Sequence, residues 1–302
     1  MTTSSYTSDA ERTLQLAERI VGPSSRAPRR LSFSVLAAYI LLSLGAVVMV
    51  VPFIWMILTS LKPAPELVQF AFLPRNPTLD NYASVLTTSN FGRWYFNSLV
   101  IAIISTTSVA FFDSLVGYTL NKFDFPGKNL IFLGILATLM VPTEMLIIPW
   151  YTMSVDWGWH VGIMQYWGIA FPGVITAVGI FLMRQFFDGV PNELIDAARI
   201  DGVNEFGIWW RIAMPLVKPA VAALCIFNFI GNWNAYLWPL IVASGRQYYT
   251  LPVGLSFFRG EAVTEWEKMM TGASLATVPL LLVFIIFQRQ IIRGIALTGI
   301  KG

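Results

Sequence analysis

Asn228, Asn232 and Tyr236 recur every four residues inside an otherwise apolar run, with Trp233 and Trp238 close by in the chain. That spacing places the three polar side chains on one face of a helix. Carboxamides pair with hydroxyl groups and aromatic rings cover the apolar faces of sugars, so such a face suits a sugar path. The same asparagines equally suit hydrogen bonds to neighbouring helices that hold a bundle together. Asn234 points elsewhere on the helix and reads as structural. Two acids also fall inside apolar runs, Asp113 and Glu144. A carboxylate amid lipid costs about 2.5–3.5 kcal/mol on insertion scales, so each needs a purpose. In a proton-coupled carrier either can relay protons. Glu144 follows Pro142, which also suits a buried, hydrogen-bonded acid at a helix break; Asp113 has no role legible in the sequence.

Other chemistries are missing their parts. A phosphate-wrapping loop needs G-x-x-x-x-G-K-[ST]. Gly127-Lys128 is the only Gly-Lys pair, Asn129 stands where Ser or Thr is needed, and Lys122 stands where the first glycine belongs. No phosphate-wrapping site of that kind is read in this chain. His160 is the single histidine, read as lying between headgroups and water, and Cys225 the single cysteine. Neither a metal site of ordinary spacing nor an internal disulfide framework follows, and no cofactor is implied. The basic residues form no stripe for nucleic acid, and the scattered acids supply no hydrolase constellation.

Composition sets the elements that must position these residues. Of 302 residues, 56% are hydrophobic and 12% charged, against roughly 25% charged in soluble domains. A membrane core about 30 Å thick needs about 20 apolar residues in a helix. Six stretches qualify: 35–58, 98–120, 130–151, 167–187, 219–242 and 272–292. Backbone groups in lipid must pair internally, so each is read as a helix; the alternating ten-residue pattern of a barrel is absent. The fold class is all-α and polytopic. The polar segment 1–30 lacks a cleavable signal core and reads as a tail with a possible short helix around 9–20. With that tail inside, inner segments hold fourteen basic residues against six outside. Both termini and the loop 189–220 therefore face the cytoplasm.

That loop has internal order. Pro191 suits a first helical turn, Glu193 and Asp196 complement its positive end, and Gly202 can close it in the left-handed conformation. Ala197 and Ala198 are small enough for another surface to approach. Phe206, Trp209, Trp210 and Ile212 then form an apolar band, suited to lipid or to packing under the bundle, before Pro215 and Pro219 break the chain.

Asp196-Ala197-Ala198-Arg199-Ile200-Asp201-Gly202, followed by Pro215-Leu216-Val217-Lys218-Pro219, resembles the EAA loop of permease subunits in ATP-binding-cassette importers, with Asp in place of the leading Glu. Asn97-Ser98-Leu99, Phe125-Pro126-Gly127-Lys128, Ile148-Pro149-Trp150-Tyr151, Trp233-Asn234, Trp238-Pro239-Leu240 and Thr250-Leu251-Pro252-Val253-Gly254 look like the carbohydrate branch of that family. The ending from Arg293-Gly294 to Lys301-Gly302 is similar to the tail of the maltose importer's second permease subunit.

The resemblance implies six transmembrane helices with a cytoplasmic coupling loop between the fourth and fifth. It divides the chain into a tail (1–30), a first helix with external loop (31–94), a permease core (95–293) and a C-terminal tail (294–302). It implies a second permease subunit, two ATP-binding subunits, an extracytoplasmic substrate-binding protein and a bacterial or archaeal inner membrane with its lipid. Glu193, Asp196, Ala197, Ala198, Asp201 and Gly202 would couple to the ATPase, and Asn228, Asn232, Trp233 and Tyr236 would line the substrate path. Energy from ATP also favours the hydrogen-bonded role for Glu144. The rival reading is an ion-coupled secondary carrier of a small polar solute, which would show paired mid-membrane charges and often inverted repeats; neither is evident in the sequence.

Overall fold

The computed structural model describes residues 33–68, 71–260 and 264–299, with side chains through 288. Readings on the tail 1–30 and on the last three residues of the chain lie outside the described residues. The chain divides into two compact units, Met1–Pro52 and Phe53–Gly302. Helix α1, Phe33–Ser60, crosses that division and carries Pro52 inside it. In the first unit Leu41, Leu42, Val48 and Met49 are all exposed. A helix apolar on every side is stable in lipid or a protein core and not in water.

The second unit continues with α2 (Asp80–Thr88), the 32-residue spine α3 (Phe91–Lys122), α4 (Lys128–Thr138), α5 (Ile147–Asp156), α6 (Gln165–Ala170) and α7 (Ala177–Asp188). Then come α8 (Asn192–Ile200), α9 (Glu205–Ile208), a π-helical turn (Trp209–Ala213), α10 (Met214–Leu216), α11 (Lys218–Trp233), α12 (Leu237–Val242), α13 (Leu251–Ser256) and α14 (Trp266–Gly299). Among the described residues no strand forms, apart from one isolated bridge between Arg259 and Thr264.

Helices α1, α3 and α14 are each long and apolar enough to cross a membrane. Three further candidates are bent pairs: Lys128–Thr138 with Thr143–Asp156 at 92°, Gly162–Gly173 with Ala177–Asp188 at 55°, and Glu205–Leu216 with Lys218–Trp233 at 86°. By length and composition the chain has three spans, or up to six if each pair is one span. The expectation of an unbroken helix in every apolar run is therefore corrected. Run 130–151 breaks ahead of Pro142, whose ring pushes the preceding residue out of the helical region. Run 219–242 stops at Trp233 and resumes at Leu237. Pro239 has no N–H for the Ala235 carbonyl, so a continuous helix there would lose a bond. Helix α3 starts at Phe91 and α14 continues through Gly299, both beyond the predicted limits.

The spine packs along α7 and α11, and α11 packs on α14. A Cβ at Gly117 would lie 2.8 Å from Met183 Cβ and 2.9 Å from the Arg184 amide nitrogen, so glycine sets the close approach of α3 to α7. Toward Lys122, the core gathers Tyr118, Met183, Phe187, Ile195, Trp209 and Val217. Toward Phe91, a second core gathers Val85, Trp94, Trp233, Leu251 and Phe258.

Candidate functional site

Helix α8 is short and two-faced. Pro191 precedes it with φ −58° and ψ 133°, Glu193 lies in its first turn and Arg199 in its last. Its end is closed by a Schellman pair: the Gly202 amide donates to Arg199 O (3.1 Å) and the Val203 amide to Ala198 O (3.0 Å). Gly202 has φ +78°, and nothing lies within 4 Å of a Cβ placed there. Glycine is therefore required by backbone conformation alone.

Ile195 and Ala198, three residues apart, point into the core shared with α3, α7 and the π-helical turn. This separates the alanine pair: Ala197 is exposed and Ala198 is only 5% exposed. The reading of Ala198 as a surface for close approach is corrected, because helical periodicity puts it with Ile195. The outward face carries Glu193, Leu194, Ala197, Ile200 and Asp201, with Ile200 86% exposed. Asp196 is turned to Arg199 (3.0 Å), which also pairs with Glu205 (2.7 Å) and so links α8 to α9. These pairs are partly solvated and worth about 0.2–1 kcal/mol each; they fix orientation more than stability. The Glu205 carboxylate beside it raises the Arg199 guanidinium above its ordinary value.

The loop is also fastened to the spine. Lys122 Nζ donates to Val190 O (2.6 Å) and to Asn192 Oδ1 (2.8 Å). Asn121 Nδ2 donates to Arg184 O (3.1 Å) and Asp188 Oδ1 (3.3 Å). The predicted apolar band splits, with Trp209 buried and Phe206 and Trp210 exposed.

The polar face of α11 is only partly as its spacing predicts. Asn228 and Asn232 share it, and Asn232 Nδ2 donates to Asn228 O and Oδ1, both at 3.0 Å. Asn228 Oδ1 also accepts from Thr106 of α3 (3.3 Å). Tyr236 does not continue that face: the helix has ended at Trp233, and Tyr236 stands at the start of α12, half-exposed. Trp233 is 1% exposed, donates to Ala276 O (3.1 Å) and stacks on Phe229. Its ring belongs to the core, which corrects its place on the path.

Glu144 is exposed in the 3-10 turn Thr143–Leu146, where a buried acid was expected. Asp113 is fully buried. It accepts the Thr176 amide (3.0 Å) and hydroxyl (2.6 Å) at the break between α6 and α7. Sequence reasoning missed this role, since the partners lie 63 residues apart with no local signal.

A helical bundle with long and broken apolar helices and a short amphipathic helix fastened at one end is the architecture of a polytopic membrane protein. The sequence profile for the binding-protein-dependent transport system inner membrane component matches residues 113–297. The chain belongs to that family. It is 37% identical over 256 residues to the arabinooligosaccharides transport system permease protein AraQ of Bacillus subtilis (strain 168), covering 83% of this chain and 90% of the relative. It is 33% identical over 259 residues to the lactose transport system permease protein LacG of Rhizobium radiobacter, covering 85% and 93%. A solved bacterial ABC transporter involved in import of the polysaccharide alginate shares the fold, with a TM-score of 0.73 at 22% identity over 90% of this chain and 97% of that one.

Proposed function

We propose that this chain is one permease subunit of an ATP-driven, binding-protein-dependent sugar importer, and that α8 is where a separate ATPase acts on it. Family membership supports the transport role. Relatives named for arabinooligosaccharides and lactose support a sugar as solute. One observation carries the coupling assignment: α8 is bolted into the core through Ile195 and Ala198 while Leu194, Ala197 and Ile200 face outward, exposed, with none of the described residues covering them. Exposed apolar side chains on a polar, solvent-side helix suit a protein partner. Glu193, Asp196, Ala197, Asp201 and Gly202 form or shape that contact, and Ala198 serves it from within.

In this reading α1, α3, the three bent pairs and α14 make six spans, with α8 between the fourth and fifth. The excess of basic residues on that side supports a cytoplasmic α8 and cytoplasmic termini. The tail 1–30, the first helix and loop 31–94, the core 95–293 and the tail 294–302 are its parts. A second permease chain completes the path, two ATP-binding subunits lie on the α8 side, and the substrate-binding protein docks opposite. Asn228, Asn232 and Tyr236 are the path residues of this chain. Purification of the tagged chain from its own cells in mild detergent tests the assembly. A second permease and a P-loop ATPase should co-purify in stoichiometric amounts. A chain that purifies alone and moves solute on a proton or sodium gradient without ATP would contradict the proposal.

A further inference from the structure

The break between α6 and α7 is tied to the spine by two side chains of α3, one of them fully buried. Ser108 of α3 donates its hydroxyl to Val174 O (2.7 Å). Asp113, which has no exposed surface, accepts the Thr176 amide through both oxygens (3.0 and 3.2 Å) and the Thr176 hydroxyl through Oδ2 (2.6 Å). Thr176 Oγ1 accepts the Gly179 amide (3.0 Å), capping α7. Gly179 is glycine because a Cβ there would collide with Asp113 Oδ2.

The break at Leu139–Pro142 is different. Among the described residues it carries only local backbone bonds, Leu139 to Leu136 (3.0 Å), Met140 to Ala137 (3.1 Å), Val141 to Thr138 (3.2 Å) and Met145 to Pro142 (3.0 Å), and Met140 is 84% exposed. The spine and α7 are meanwhile joined again at the α8 end, by the Asn121 bonds to Arg184 and Asp188 and the Tyr118, Met183 and Phe187 core, while Lys122 ties the spine to Val190 and Asn192 at the start of α8. Gly117 brings the two helices together between those points. A pair fastened at both ends and in close contact between them moves as one body, because packed interiors transmit displacement.

We propose that Asp113 is a positioning residue for the transport step: through Thr176 it makes α3, α7 and α8 a single lever. A displacement of α8 then reaches the middle of the bundle and is not absorbed at the break, so bending is left to the unpinned break ahead of Pro142. This rests on the reading of α8 as the ATPase contact. A merely structural staple would affect assembly; a lever sets how much solute moves per ATP.

The test uses the complete complex with its binding protein in proteoliposomes and reads solute taken up per ATP hydrolysed. Thr176→Ser keeps the amide and hydroxyl bonds and should keep the ratio. Thr176→Val loses the hydroxyl, and Asp113→Asn turns an NH2 group toward donors. Each should lower the ratio about fivefold or more while ATP hydrolysis persists. An assembled Thr176→Val or Asp113→Asn complex with an unchanged ratio overturns the proposal. A second measurement leaves the clamp intact: spin labels at Phe112→Cys and Val178→Cys, both exposed positions, in a Cys225→Ser background. Their separation should stay within the about 1–2 Å of a helix shift between nucleotide-free and ATP-trapped states. A larger change overturns the lever even if the variants fail to assemble. Absence of ATP-driven uptake in the unmodified complex would instead remove the permease reading, and the lever with it.

Discussion

Replacing Gly202 isolates the backbone requirement at the end of α8. Its φ of +78° is left-handed, and no atom lies within 4 Å of an added Cβ. A substitution there therefore acts through strain, without a clash. An ordinary L-residue in this conformation costs about 1–2 kcal/mol, and a β-branched one about 1–3 kcal/mol. The strain is relieved by opening the two closing bonds from Gly202 and Val203, which frays the last turn of α8 (3.1 and 3.0 Å when closed). A cost of about 1–3 kcal/mol shifts the closed-to-frayed ratio about 5–150-fold. ATP-driven uptake should fall in the order Gly202, Asn, Ala, Val, because Asn tolerates the left-handed region best of the three. Uptake by the reconstituted complex is the assay, with subunit stoichiometry as the control for assembly. Wild-type uptake by an assembled Gly202→Val complex, or an Asn variant as impaired as Val, would refute the reasoning.

Other perturbations address the remaining elements. Asn232→Leu removes the bonds to Asn228 (both 3.0 Å) and should lower uptake with assembly and basal ATP hydrolysis near normal; failure to assemble would make the pair structural instead. Trp233→Ala deletes a core ring and should destabilise the bundle by about 3–5 kcal/mol, seen as a lower thermal midpoint in detergent and a parallel loss of uptake. Glu66 accepts the amides of Arg75 and Asn76, both at 2.9 Å. Those bonds, with that of Arg75 the largest, hold its carboxyl below the ordinary value of 4.5. A depressed carboxylate contributes order fully above its unfolded value and loses it as pH falls through the folded one. Protease nicking around residues 64–76 should therefore rise as pH drops below about 4.5, and the rise should vanish in Glu66→Gln, whose amide does not titrate and keeps only one of the two acceptor oxygens.

The long elements were legible because their signals are local and sustained. Long apolar runs mark α1, α3 and α14, and Pro191, the acids and Gly202 bracket α8 within a residue or so of its limits. What escaped depends on contacts between distant residues or on which way a helix faces. Asp113 meets Thr176 only through the packing of α3 on the α6–α7 break. Ala198 looks the same as Ala197 until Ile195 fixes the buried side. Tyr236 keeps the four-residue spacing of a helix that the chain leaves at Trp233, and the missing N–H of Pro239 lies three residues further on. The path residues were read from a periodicity that needed the helix to continue.

The central claim is that α8 is the contact through which a separate ATPase moves this chain. Ala197 is the position to probe, being exposed at the centre of the outward face. An Ala197→Cys variant in the Cys225→Ser background carries a single thiol, since Cys225 is the chain's one cysteine. Paired with single-cysteine ATPase subunits in the assembled complex, it should crosslink to the ATPase, and the yield should change between nucleotide-free and ATP-trapped states. No crosslink at Ala197 in an assembled, transport-active complex, whichever ATPase position is used, would contradict it.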